Sequence, residues 1–588
     1  MNSFWKTTLA VVCGIILTSV LSSILFFVMV GALAAVGSAV PSVPSNAVLK
    51  IDMSHITLAE QSKEGAPSLG FTGSSFNASN NSVIGLWEAT RVLDKAAEDP
   101  AVKLIYIKPD ATMAGVATLQ EFRAALQNCR NNGKSIVAYT EAPTTGGYYL
   151  ASVADKIYMP PYSGATPMLT GMSSSLFFIK DLLDKFGVNV QLIRHGKYKS
   201  AGEMFIRNSA SPENLEQNQV MVNTLWKSLA DEIARSRTIS AEALNAAIDE
   251  LALNLPQDYI QAGLVDELLD RQALEQKIAD LVGVKKFKNV HMVSFADYCA
   301  AKAPELDKVK SKEKLAIIFA DGEIIDGYDK QQVAGDNFAS IIEKVRADSS
   351  VKAVVLRVNS PGGSVMASEK IKAELDLLKQ EKLLVASYGD YAASGGYWIS
   401  NAAEKIFCDA TTLTGSIGCF GMVPDFSKTY KDVAHINVTP VKSNKHSDMF
   451  SLSRPLDAQE YAFMQRGIEA VYEGFLANVA AGRKMTTEAV DEIGQGRVWA
   501  GADAIGIGLV DEIGTLKDAV NYTLEQSGLG DLGSCKVVCY PKPASAMEEA
   551  LAMFSKTSQD ADQVLLNKVR ELSKPVILAR MPYEIVFE

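Results

Sequence analysis

The chain has 588 residues, with 57 Lys and Arg against 68 Asp and Glu, for a net charge of -11. That length is too great for one compact core, so several folded units are expected. The acidic balance is spread along the chain rather than gathered in a tail, which excludes nucleic acid as a partner. Seven cysteines, with no CxxC pair and no histidine at zinc-ligand spacing, read as small buried residues with free thiols.

The first element is an anchor. No charged residue occurs from Thr7 to Leu49, and Leu9 to Val30 is almost wholly apolar. Such a run is long enough to cross a bilayer and exceeds the roughly 7–15 residues of a cleavable signal core, so residues 8–33 are read as an uncleaved transmembrane helix. Lys6 and the amino terminus are the only positive charges beside it. The positive-inside rule then leaves the amino end in the cytoplasm and the remainder outside, in a single-pass protein of the cytoplasmic membrane. A Pro- and Ser-rich linker, AVPSVPS from Ala39, follows.

Beyond the linker the sequence repeats itself. GGYYLASVADKIY from Gly146 matches GGYWISNAAEKIF from Gly395, and VKLIYIK from Val102 matches VKAVVLR from Val351, both at an offset of 249. VNVQLIRHGKYKS from Val188 aligns with INVTPVKSNKHSD from Ile436 at 248, and GLVDE recurs at Gly263 and Gly508 at 245. Four ordered matches with so little drift define two homologous domains, 47–300 and 310–545. Residues 546–588 form an extension without a functional signal.

The second repeat shows the grammar of both. LAIIFADGEI reads as a strand, FASIIEKVRAD as a helix, and VKAVVLRV as a buried parallel strand. A turn is expected at Asn359-Ser360-Pro361-Gly362-Gly363, then a helix with Ile371, Leu375 and Leu378 on its apolar face. LLVASYGD is the next strand, followed by the small-residue turn Ala392-Ala393-Ser394-Gly395-Gly396 and a helix through YWISNAAEKI. The alternation predicts an α/β fold with parallel strands, both turns lying at the carboxyl ends of neighbouring strands, where such folds place their sites.

Ser394 stands at a helix amino terminus among small residues, where free N–H groups favour a developing anion. A serine there commonly just caps the helix. The adjacent glycine turn offers amides unobstructed by side chains, so Gly363 and Gly395 could together hold an acyl oxyanion. The combination SPGGSVMASE, ASGGYW, TLTGSIG and GKYKSAGE resembles the signal peptide peptidase A family, also called protease IV, in its long two-repeat form, over nearly the whole chain. The resemblance implies the fold shared by Clp protease and crotonases. It implies Ser394 as nucleophile, Lys199 as general base, Ser416 as a hydrogen-bonding partner of that lysine, and Gly363 in the oxyanion hole. It further implies signal peptides and similar membrane-derived peptides as substrates, and a homo-oligomeric ring, a tetramer, with sites facing a shared bowl. A membrane-bound scaffold that kept the fold without turnover is the alternative.

The residues themselves support the same pair by exclusion. None of the five histidines, at 55, 195, 291, 435 and 446, falls in a triad motif. A lysine base must be neutral at working pH, which requires burial. Spacing does not choose between Lys197 and Lys199, two apart and on one face if that stretch is extended; the family motif selects Lys199. In the first repeat Thr145 replaces Ser394 and Thr112-Met113-Ala114 replaces the glycine turn, whereas Lys199 aligns with Ser447 of the second repeat, near Lys445. One site split between the repeats is expected, acting through an acyl-enzyme without metal or nucleotide.

Overall fold

The computed structural model describes residues 41–62, 82–165, 167–306, 308–330, 332–542 and 577–581, with the isolated positions 14, 17, 18 and 21. The expected anchor at 8–33 therefore lies outside the described residues apart from those isolated positions. Among the described residues no helix is long and apolar enough to cross a membrane.

Each repeat is built on a parallel sheet between helices. In the first, the order is Glu267–Leu268, Lys156–Met159, Ser135–Tyr139, Val102–Lys108, Ala47–Asp52 and His291–Ser294, all parallel. In the second it is Val498–Ala500, Leu413–Gly415, Leu383–Ala393, Val351–Ser360, Lys314–Asp321 and Lys536–Tyr540, parallel except at the Val498–Ala500 edge. The run VKAVVLRV occupies the middle of this sheet and is buried from Ala353 to Val358, as an apolar run covered by helices on both faces must be.

Two local expectations are corrected. Only Pro361 breaks the chain in the expected turn, because Asn359 and Ser360 continue the preceding strand and Gly362–Ser364 forms a short strand of its own. The helix after Ser394 stops at Ser400 instead of running through NAAEKI. There the Asn401 amide folds back to donate to Tyr397 O (3.1 Å) and Trp398 O (2.9 Å), closing the last turn.

A third sheet crosses the repeat boundary. Its order is Val333–Ala334, Ile324–Ile325, Gly362–Ser364, Ile577–Arg580, Phe420–Asp425 and Asn189–Arg194. Asn189–Arg194 belongs to the first repeat, yet pairs antiparallel with Phe420–Asp425 of the second over its whole length. The segment of the second repeat that aligns with it, from Ile436, forms no strand and leaves Ile436, Val438 and Val441 exposed.

Charge also joins the repeats. Arg357, fully buried, pairs with Glu60 (2.8 Å) and Glu121 (2.7 Å) of the first repeat. Asp390 accepts from Ala117 N (2.8 Å) and Thr118 N (3.1 Å), capping the Val116–Asn131 helix of the other repeat at its positive end. Cys535 and Cys539 are not joined by a disulfide, as expected.

Candidate active site

Ser394 follows the last residue of the Leu383–Ala393 strand and precedes the Gly395–Ser400 helix. Its φ of 56° and ψ of -112° are unusual for a residue with a Cβ. Its N–H donates to Gly415 O at 2.8 Å, which fixes that turn. The side chain makes no capping bond to the helix, so the ordinary role of a serine at this position is not the one it plays. Instead its Oγ lies 2.8 Å from Lys199 Nζ in a wholly buried setting.

Lys199 arrives from the other repeat, on the loop between the Asn189–Arg194 strand and the short Glu203–Ile206 helix. That loop is not extended. A turn at Lys197 and Tyr198 separates the two lysines, leaving Lys197 exposed over the Tyr198 ring and Lys199 1% exposed. Arg194 Nη1 donates to Lys199 O (2.7 Å) and pairs with the buried Glu203 (3.1 Å), while Tyr198 N donates to Gln495 O (2.9 Å). The loop is thereby held against the Gly494–Arg497 turn. A Cβ on Gly496 would lie 2.6 Å from the Lys199 backbone and Cβ, so glycine there is required for the approach. The sequence reading passed over Gly496 and Arg194; a glycine at a tight turn carries no mark of what packs against it.

Ser416 completes the cluster, with its own left-handed φ of 51° and its N–H held by Arg497 O at 2.7 Å. Lys199 Nζ lies 2.9 Å from Ser416 Oγ and 3.1 Å from Ser416 O. In its neutral form the amine can donate twice to Ser416 and accept once from the Ser394 hydroxyl. Burial lowers the Lys199 pKa from its usual 10.5 to about 7, because desolvation disfavours the ammonium form. Cys419, the one other group that acts on it, is itself pushed up to about 12 by burial and so is an uncharged thiol at neutral pH.

Gly363 and Gly395 lie side by side, a Cβ added to Gly395 falling 3.1 Å from Gly363 N. Gly362 and Gly363 have φ of 98° and 154°, and a Cβ on Gly363 would meet Ile324 O at 1.9 Å. Only glycine fits this backbone.

The residues that could have formed other sites are elsewhere engaged. Thr145 Oγ1 donates to Gly171 O (2.9 Å), Lys445 Nζ to Gln459 Oε1 (2.8 Å), and Ser447 is exposed. His195 stacks on Tyr472, His446 bonds Glu460, and His55, His291 and His435 are exposed. The structure thus brings Ser394, Lys199, Ser416, Gly363 and Gly395 together, a buried hydroxyl beside an amine whose pKa burial lowers to about 7, and paired glycine amides. Such a constellation can activate an oxygen nucleophile and hold an anion.

Comparison with known proteins bears on that chemistry. The family described as Peptidase family S49 matches residues 128–285 and 376–530, one segment in each repeat. The chain is 35% identical to Protease 4 of Haemophilus influenzae over 448 residues, 74% of this chain and 72% of that one. It is 36% identical to Protease 4 of Salmonella typhi over 470 residues, covering 78% and 74%. To the chloroplastic serine protease SPPA of Arabidopsis thaliana it is 28% identical over 499 residues, covering 84% and 73%.

Proposed function

Since the chain belongs to peptidase family S49, in its two-repeat form, and is a serine peptidase, we propose that it cleaves peptide bonds with Ser394 as nucleophile and Lys199 as general base. The observation that carries this reading is the 2.8 Å contact of Ser394 Oγ with the buried amine. Lys199 takes the hydroxyl proton as Oγ attacks the acyl carbon, and returns it to the leaving amine. Ser416 orients the amine through its Oγ and carbonyl. The amides of Gly363 and Gly395 receive the oxyanion, and water then hydrolyses the ester.

The substrates are cleaved signal peptides and similar membrane-derived peptides, met at the cytoplasmic membrane by an enzyme anchored through residues 8–33 with its globular part outside the cytoplasm. The composition of the anchor supports the membrane site, and the resemblance to signal peptide peptidase A supports the substrate class. Assembly into a ring, a tetramer, is supported by the repeat itself. Inside the chain, Asn189–Arg194 of one repeat pairs with Phe420–Asp425 of the other. The equivalent of the first strand in the second repeat exposes Ile436, Val438 and Val441, and Phe177 is exposed just before the Lys180–Lys185 helix of the first repeat. A second copy could cover such surfaces by repeating the contact head to tail.

A fluorophosphonate probe should label Ser394, and mass spectrometry should find discrete internal cuts in a synthetic signal peptide. Labelling that persists in Ser394→Ala would sink the assignment, and labelling without turnover of any peptide would favour the non-catalytic scaffold.

A further inference from the structure

Two fixed points of the site lead back to one edge strand. Val498–Ala500 closes the sheet of the second repeat and pairs antiparallel with Leu413–Gly415, with Val498 opposite Gly415. Ser394 N donates to Gly415 O (2.8 Å), and Ser416 N donates to the carbonyl of Arg497 (2.7 Å), the residue before the edge strand. The nucleophile and the residue that orients the base are thus set by the pairing of these two strands. An edge strand turns alternate N–H groups away from its sheet, and each buried one needs another acceptor. Val498 N donates to Gln217 Oε1 of the first repeat, at 3.3 Å.

The other end of the same amide holds the loop of the general base. Gln217 Nε2 donates to Tyr198 O (3.0 Å) and to Ser200 Oγ (3.0 Å), the residues on either side of Lys199. Tyr198 N also reaches Gln495 O, on one side of the lysine only. Gln217 is buried, and because a backbone carbonyl only accepts while a backbone N–H only donates, its amide fits one way round. Its helix, Pro212–Arg237, docks by other means. Met221 and Leu225, one and two turns along the same face, pack with Leu413, Val498 and Ala500, and Thr224 Oγ1 donates to Asp503 at 2.9 Å. The helix is therefore held to the second repeat without the amide.

We propose that Gln217 is the positioning residue of the general base, one side-chain amide that fixes the Lys199 loop to the strand pair holding Ser394 and Ser416; this rests on the assignment of Ser394 as nucleophile and Lys199 as base. Gln217 touches no reacting atom and acts through Lys199. The lysine reaches across the repeat boundary on a long flexible side chain, so its backbone must be fixed relative to that of the two serines. Without the amide the loop is free to shift, and a misplacement of about 1 Å in such a group lowers the rate on the order of a hundredfold. A shift that lets water reach Nζ also weakens the desolvation that lowers the Lys199 pKa to about 7, so the base then becomes neutral only at higher pH.

The test uses the full-length chain. Gln217→Met keeps the volume and removes all three hydrogen bonds; Gln217→Glu keeps the shape, and its ionised carboxylate donates none. Both should lower kcat for a synthetic signal peptide by about tenfold to a hundredfold, with KM within about twofold of wild type. Both should also move the acid limb of kcat/KM upward from about 7. Fluorophosphonate should label Ser394 in these chains more slowly but to the same final extent as in wild type, showing that the site is folded. Thr224→Val, which removes a bond between the same helix and the second repeat without touching the loop, should keep the wild-type kcat and acid limb. Wild-type kcat and acid limb in Gln217→Met would overturn the proposal, as would equal losses in Gln217→Met and Thr224→Val, which would show a role in docking alone. Failure of both Gln217 variants to reach the wild-type extent of labelling would also overturn it, since the amide would then hold the fold rather than the base. Absence of labelling in wild type would instead refute the nucleophile assignment, and wild-type turnover in Lys199→Arg would refute the base.

Discussion

Replacing Lys199 by Met should abolish peptide hydrolysis and yet make the protein more stable at neutral pH. In the native state burial holds the Lys199 pKa at about 7, against 10.5 when exposed. A lowered pKa means that the unfolded chain binds the proton more tightly, so stability rises with pH between about 7 and 10.5. Below pH 7 both states are protonated and the full burial penalty applies. The difference of about 3.5 units corresponds to roughly 4–5 kcal/mol. Met fills nearly the same volume without a charge, but it leaves the Ser416 oxygens without their donor, at a cost of about 1–3 kcal/mol. A net gain on the order of 2 kcal/mol at pH 7 is expected, shrinking toward pH 10. Denaturant melts of the two chains from pH 6 to 10 measure it, and the acid limb of kcat/KM for wild type should report an apparent pKa near 7. A Lys199→Met chain that retains turnover, or a stability difference independent of pH, would refute the reasoning.

Four further outcomes are expected. Lys199→Arg should be inactive although charge is kept, because a guanidinium with a pKa above about 12 cannot take the serine proton, while the exposed Lys197→Arg should retain near-normal turnover in the same peptide assay. Ser394→Ala should lose hydrolysis completely and Thr145→Ala should keep it, since Thr145 donates to a backbone carbonyl and has no glycine turn beside it; equal losses would refute the one-site reading. Arg357→Met should lower stability by about 3–5 kcal/mol by stranding Glu60 and Glu121 in the buried repeat boundary, read as a fall in the denaturant midpoint. Protease added to intact spheroplasts should digest the globular part; protection lost only on lysis would reverse the orientation drawn from Lys6.

Much of the site could be read from the sequence because its parts are local signals. The glycines at 362 and 363 and the small residues around Ser394 follow apolar runs that can only be buried parallel strands, and strand ends are where such sheets expose their backbone. The repeat was visible for the same reason: equal strands and turns recur at nearly equal spacing, and the loss of the nucleophile in the first copy needs no coordinates to see. The length of the Gly395–Ser400 helix was not visible, since the side chain of Asn401 ends it, and propensity does not reveal where an amide will point.

What the sequence could not decide was which lysine meets Ser394, because the partners stand 195 residues apart and the loop between Arg194 and Glu203 is set by neither alone. Periodicity placed Lys197 and Lys199 on one face of an extended segment. Packing against the Gly494–Arg497 turn folds that segment so that one lysine remains in water and the other enters the core. Only that burial lets Lys199 lose its proton near neutral pH, since its pKa depends on what surrounds it and not on what precedes and follows it in the chain. Nor does anything in ILAR show that it will pair with Gly362–Ser364, because a sheet edge selects its partner by position in space. Residue types and their order fixed what chemistry was possible; the crossing of one repeat's strand into the other repeat's sheet brought the reacting groups together and excluded water from them.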